Sequence, residues 1–179
     1  MKKLLIFAAF VLFVMTTNFA QDETSGNPTD QGVIVIEINT GFGESSTSNT
    51  GFALRSRDGT TAWAIGGEAG YFILDDLALK GGLGYGDSGG GGSSGMFNWK
   101  FGGKYYIAKM FPVAVDVNGS SGNGFSPLWV GLQAGYAWFV ADNVSVEPGL
   151  RYGIGLNDDA GDGDFNIFSA NIGFNIFFN

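Results

Sequence analysis

From Val33 to the end of the chain, apolar residues recur at every second position in a series of short stretches. No later segment carries them at helical spacing over a useful length. A period of two places successive side chains on opposite faces of a pleated strand, so each stretch reads as a β-strand with one apolar face. Clusters of Gly, Ser, Asn and Asp separate the stretches, as turns do. Eight strands are predicted, at 33–43, 60–73, 77–86, 96–108, 111–118, 127–140, 144–156 and 164–178. The connections alternate in kind. Leu74-Asp75-Asp76, Lys109-Met110 and Ala141-Asp142-Asn143 are tight turns, whereas 44–59, 87–95, 119–126 and 157–163 are longer and polar.

The two faces differ sharply. One is bulky, as in Ile34, Ile36 and Ile38 of the first strand or Leu128, Val130, Leu132, Tyr136 and Trp138 of the sixth. The other is small or polar, rich in Gly, Ala, Ser and Asn, and carries Glu37, Glu68, Lys80, Lys100, Lys104, Asp116, Glu147 and Arg151. With the bulky face inside, an eight-stranded barrel, whose interior only just holds its side chains, would be overfilled. Its outer surface would then be largely Gly, far from the ~25–35% charged surface that keeps domains soluble. The opposite arrangement sets bulky residues against lipid and small ones in a narrow lumen. A closed barrel also pairs every backbone group, which a lipid environment demands. The expected fold is an all-β, transmembrane, eight-stranded antiparallel up-and-down barrel.

Composition narrows the chemistry. The 179 residues include no His and no Cys, which removes histidine bases, thiol nucleophiles and Cys/His metal sites. A net charge of −8 argues against binding a phosphate backbone, so no nucleic-acid partner is expected. At the N-terminus, Met1-Lys2-Lys3 precedes an apolar run from Leu4 to Met15 and then Thr16 to Ala20. The run is too short for the ~20 residues of a spanning helix, and its layout is that of a secretory signal peptide, residues 1–20. The alternative is an N-terminal anchor helix. Residues 21–32 are polar and aperiodic, a flexible periplasmic lead-in to a barrel domain at 33–179.

Two hairpins resemble each other: Asp75 to Tyr85 (DDLALKGGLGY) aligns without gaps on Asp142 to Tyr152 (DNVSVEPGLRY). Duplication and convergence explain this equally. The phrase Gly67-Glu68-Ala69-Gly70-Tyr71-Phe72, the Asp75-Asp76 turn and Gly82-Leu83-Gly84-Tyr85 also resemble the hairpin of the small eight-stranded outer-membrane barrels of the OmpA/OmpX type, barrel-only members. The last strand resembles that family's C-terminal assembly signal, with Phe174, Ile176 and Phe178 alternating before Asn179. The resemblance spans roughly 33–179. It implies a monomeric bacterial outer-membrane protein, contacts with outer-membrane lipids and lipopolysaccharide, and passage through the barrel-assembly machinery. It implies no enzyme activity and no cofactor.

Several residue sets are candidates for function. The four acids and four bases of the inner face are expected to form a neutralising network that plugs the lumen, since an isolated buried ion is costly. A narrow path for ions or small apolar solutes is the rival reading. Lys80 and Glu147 occupy equivalent positions of the two similar hairpins, so they belong at one depth on opposite walls, joined only through Glu37, Glu68 and Lys104. Glu68 with Glu147, or Glu37 with Asp116, would be carboxylate pairs for acid–base work, yet no base near neutral pH accompanies them. Asp158, Asp159, Asp162 and Asp164 crowd one loop, either as a solvated acidic loop or as a weak cation site. Gly84 to Gly92 lacks the helix that a phosphate cradle needs. Arg55 and Arg57 are basic residues outside the barrel, available to lipopolysaccharide. Tyr71, Tyr105 and Trp138 fall toward the short turns, and Trp63, Tyr85, Trp99 and Tyr152 toward the long loops, as two interfacial aromatic rings would. Pro148 lies mid-strand without an N–H to donate, so a bulge or a missing rung is expected there.

Overall fold

Among the described residues the chain forms ten hydrogen-bonded antiparallel segments: β1 (Ile34–Phe42), β2 (Phe52–Arg57), β3 (Thr60–Leu74), β4 (Leu77–Asp87), β5 (Met96–Ile107), β6 (Phe111–Ser121), β7 (Leu128–Gly135), β8 (Trp138–Ala141), β9 (Val144–Gly155) and β10 (Asn166–Phe178). This computed structural model describes residues 26–42, 51–87, 89, 95–122, 124–162, 164 and 166–179. The predicted signal peptide, the start of the lead-in, residues 44–50 of the first long loop and most of the Gly-rich loop lie outside the described residues. So do the side chains of Arg55 and Arg57.

The segments make a closed barrel of eight staves. Closure occurs at β1, which pairs with β10 from Ile34↔Phe178 to Phe42↔Ala170 and with β3 from Ile34↔Tyr71 to Glu37↔Glu68. Segments β7 and β8 form a single stave, because Gly135↔Gly149 and Trp138↔Val146 share one register against β9. The stave is interrupted at Tyr136-Ala137, and Pro148 is the reason. Tyr136 N–H donates to the Pro148 carbonyl at 3.0 Å, so the proline nitrogen faces the same neighbour and has no proton to return. On its other side, Ile172↔Pro148 continues the β9–β10 ladder without a shift. The irregularity is therefore a missing rung and not a bulge.

The first long loop differs from expectation. It contains β2, which forms a hairpin with the upper half of β3, from Phe52↔Ile65 to Arg57↔Thr60. The turn is Asp58-Gly59, with φ of 48° and 80°. Positive φ at both central residues is the type I′ geometry that Asp-Gly favours and that matches the twist of the flanking strands. The third long loop is shorter than predicted, since β6 runs to Ser121 and Gly122 bonds reciprocally with Phe125.

Alternation holds around the barrel. Outward residues are exposed, as with Leu83 (61%) and Phe168 (67%), while their neighbours in sequence point into the bore. The expectation of a uniformly small or polar interior fails at the short-turn end. There Val33, Val35, Phe72, Ala78, Tyr106, Ala137 and Phe177 form a buried apolar cluster, with Phe139 packed against it. Adjacent bulky residues, such as Tyr71-Phe72, Tyr105-Tyr106 and Phe177-Phe178, must place one ring outside and the next inside, because the pleat alternates strictly.

The described end of the lead-in, residues 26–32, is tied to the turn after β3. Thr29 is buried, donates through Oγ1 to Asp76 Oδ1 at 2.5 Å, and accepts Asp76 N–H at 2.7 Å. Gln31 bonds Asp75 Oδ1 and the Ile73 carbonyl, both at 2.9 Å. Polar side chains without periodicity serve here to satisfy turn backbone.

Candidate functional site

All eight charged residues of the inner face lie in the bore, each between 1% and 8% exposed. They come from β1, β3, β4, β5, β6 and β9. Strand register creates the first problem that the site must solve: Glu37 and Glu68 stand directly opposite across β1 and β3. Like charges so placed repel. Lys80 answers this from β4, with Nζ 2.5 Å from Glu37 Oε2 and 2.8 Å from Glu68 Oε2.

The pairing continues in both directions. Lys100 reaches Glu68 at 2.6 Å, and Lys104 bridges Glu37 at 2.8 Å and Glu147 at 2.5 Å. The result is a chain of alternating sign, Lys100–Glu68–Lys80–Glu37–Lys104–Glu147, that crosses the bore and sums to zero. Lys80 and Glu147 have Glu37 and Lys104 standing between them. Neutral donors complete the carboxylates. Tyr106 Oη and Ser145 Oγ each donate to Glu147 Oε1 at 2.9 Å, and Asn39 Nδ2 donates to both Glu37 and Glu68.

Asp116 and Arg151 form a separate neutral group. The guanidinium grips the carboxylate with two bonds, at 2.6 and 2.7 Å, and Asn118 adds a third at 2.7 Å. Such fork-to-fork pairing is the strong form of the ion pair. Gly131, opposite Asp116, makes room for it: a Cβ there would lie 1.9 Å from Arg151 Nη2. A cavity of about 20 Å³, lined by Glu68, Lys80, Lys100, Lys104 and Asp116 among others, separates the two groups. That is room for about one water.

The arrangement has clear chemical consequences. Taking a charge out of water costs several kcal/mol, and close opposite partners with extra hydrogen bonds offset it. Every one of the four carboxylates is engaged by an ammonium or guanidinium. Neither carboxylate pair considered for acid–base work forms, since Lys80, Glu37 and Lys104 intervene between Glu68 and Glu147, and Asp116 belongs to another group from Glu37. Sequence reasoning missed Tyr106, Asn39, Ser145 and Asn118 as partners. The signal was present for three of them, which lie two residues from the acid they serve, hence on its face.

No family model matches the chain, and no curated protein matches it. Among solved structures, the N-terminal β-barrel domain of Pseudomonas aeruginosa OprF is similar over 83% of this chain and 98% of that one, with 17% identity and a TM-score of 0.51. The fold is that of the small outer-membrane barrels. Neisserial surface protein A (13% identity, 82% of this chain, 95% of that one, TM-score 0.44) and Yersinia pestis Ail (10%, 83%, 100%, 0.45) are also similar.

The remaining candidates sit on the outside or at the rims of this outer-membrane barrel fold. Trp63, Tyr71, Tyr85, Tyr105, Trp138 and Tyr152 all face outward and are exposed, with the Trp63 and Tyr85 rings 5.9 Å apart and tilted by 53°. Trp99 is half-buried and lies against Gly119. Phe174, Ile176 and Phe178 also face outward, on the strand that closes the barrel against Ile38, Ile36 and Ile34. Among the described residues no three carboxylates converge on one point. Instead Asp158–Ala160 form a 3₁₀ turn capped by Asn157, and Asp159 accepts the Ser126 N–H at 2.8 Å. Asn157 accepts Leu128 N–H and donates to the Ser126 carbonyl, so the loop braces its neighbour through backbone bonds.

Proposed function

We propose that the protein is a non-enzymatic integral barrel of a bacterial outer membrane, exported by a cleaved signal peptide, with an envelope-structural or surface-interaction role. The observation that carries this reading is the neutral chain of six alternating charges across the bore. Side chains so fully paired fill the lumen and leave no carboxylate to act as a base. The exposed apolar belt and its aromatic rims suit lipid on the outside. Outer-membrane lipids and lipopolysaccharide are the partners this surface fits, the last strand is the one offered to the assembly machinery, and the barrel works as a monomer. In planar bilayers, the purified full-length protein is expected to give no steady conductance. A stable ohmic channel in the unaltered protein would overturn the plug and favour a narrow pore instead.

A further inference from the structure

The bore is closed at two depths by opposite chemistry, and we propose that the aromatic layer at the short-turn end is the tighter barrier to water and ions, held shut by residues 29–33. The proposal rests on the reading of the barrel as plugged and states where passage is stopped.

Four rings build the layer. Phe72, Tyr106 and Phe177 form a triangle, with centroids 5.9, 6.2 and 6.3 Å apart, and Phe139 packs on Phe177 at 5.6 Å. They come from β3, β5, β10 and β8, which is every second stave of the barrel, so the rings meet from all round the bore. Phe72 and Tyr106 are wholly buried and Phe177 is 2% exposed. A constriction lined by such rings, with the Tyr106 hydroxyl already committed to Glu147, offers water little to bond and excludes it by dewetting. The charged layer above is different in kind. Its groups are polar and hydrogen-bond readily, and a cavity of water size lies against it.

The segment before β1 locks two of these rings through their backbones. Gly32 N–H donates to the Phe72 carbonyl and Phe72 N–H to the Val33 carbonyl, both at 2.9 Å. Asp76, which grips Thr29 by side chain and backbone, accepts the Tyr106 N–H on its own carbonyl at 2.8 Å. Thr29 is thus one bonded residue away from Tyr106.

Ion flux through the full-length protein in planar bilayers tests this, with circular dichroism to show that each variant is folded. Lys104→Met breaks the charged layer alone, Phe72→Ala with Phe177→Ala breaks the aromatic layer alone, and the triple variant breaks both. The Lys104→Met protein is expected to remain closed, the aromatic variant to show brief small openings, and the triple variant to show larger ones. If the double alanine variant does not fold, Phe177→Ala alone takes its place. Thr29→Val is expected to produce openings where the parent has none; silence there removes the lock from the proposal. Openings in Lys104→Met as large as in the triple variant overturn the aromatic barrier while leaving the plug intact, as does a silent aromatic variant. Conductance in the unaltered protein overturns the plug itself.

Discussion

The aromatic and charged layers lie in the same bore and are held by opposite means, and their tolerance to change differs accordingly. Apart from the Tyr106 hydroxyl, which bonds Glu147, rings at the turn end gain from burial itself, so a lost contact is a local cavity. Charges in the middle gain only from one another. Each ion is stable there because a specific counter-ion stands within 3 Å, and removing one strands its partner. The apolar layer depends on the area it buries and the charged one on exact pairing.

The largest effect that can break this comparison is the loss of Lys104, which serves two carboxylates at once. Lys104→Met is expected to cost about 3–5 kcal/mol of unfolding free energy, read as a lower urea midpoint in detergent. Lys109→Met, on an exposed pair with Asp30, is expected to cost about 0–1 kcal/mol. Equal shifts in the two proteins would mean that water reaches the lumen charges freely.

A smaller effect sharpens the point. Arg151 and Asp116 stand apart from the six-membered chain, so both can be removed together. Arg151→Met with Asp116→Leu leaves only the Asn118 amide without its acceptor and is expected to cost about 1–3 kcal/mol, whereas Arg151→Met alone strands the Asp116 charge and is expected to cost about 3–5 kcal/mol. If the double variant is as unstable as the single one, the loss is of packing over Gly131 and not of charge pairing.

The smallest effect lies outside the bilayer, at the segment that ties the turn end. The Asn27 backbone N–H, at 2.8 Å, holds the Asp30 carboxyl below its ordinary range, with Lys109 adding to the shift. A depressed carboxylate contributes stability that is fully present above its unfolded value and is lost as pH falls through the lower, folded one. Amide-exchange protection at residues 29–33 is therefore expected to be flat above about pH 4 and to decline below it. Protection that declines on the alkaline side instead would show that Asp30 does not support the segment.

Much of this was legible in the residues, for a local reason. Side-chain facing follows from a pleat whose period is two, so Glu37, Lys80, Lys104 and Glu147 could be assigned to the bore strand by strand. The Asp58-Gly59 hairpin was legible as well, and was passed over because β2 is short and sits within a polar stretch. The same parity put Phe72, Tyr106 and Phe177 inside, but a reading that sought one bulky face per strand left them out.

What the sequence determined by itself is therefore the barrel, the facing of its side chains and the presence of equal numbers of acids and bases within. Tertiary structure decided which acid meets which base. Glu37 and Lys80 are 43 positions apart, as are Lys104 and Glu147; they meet only because closure at β1 and the stagger of each ladder bring their strands to one depth. It also decided that Pro148 would interrupt the β7–β8 stave and not β10, because a strand's nitrogen and carbonyl at one residue face the same neighbour, and register alone selects which neighbour that is.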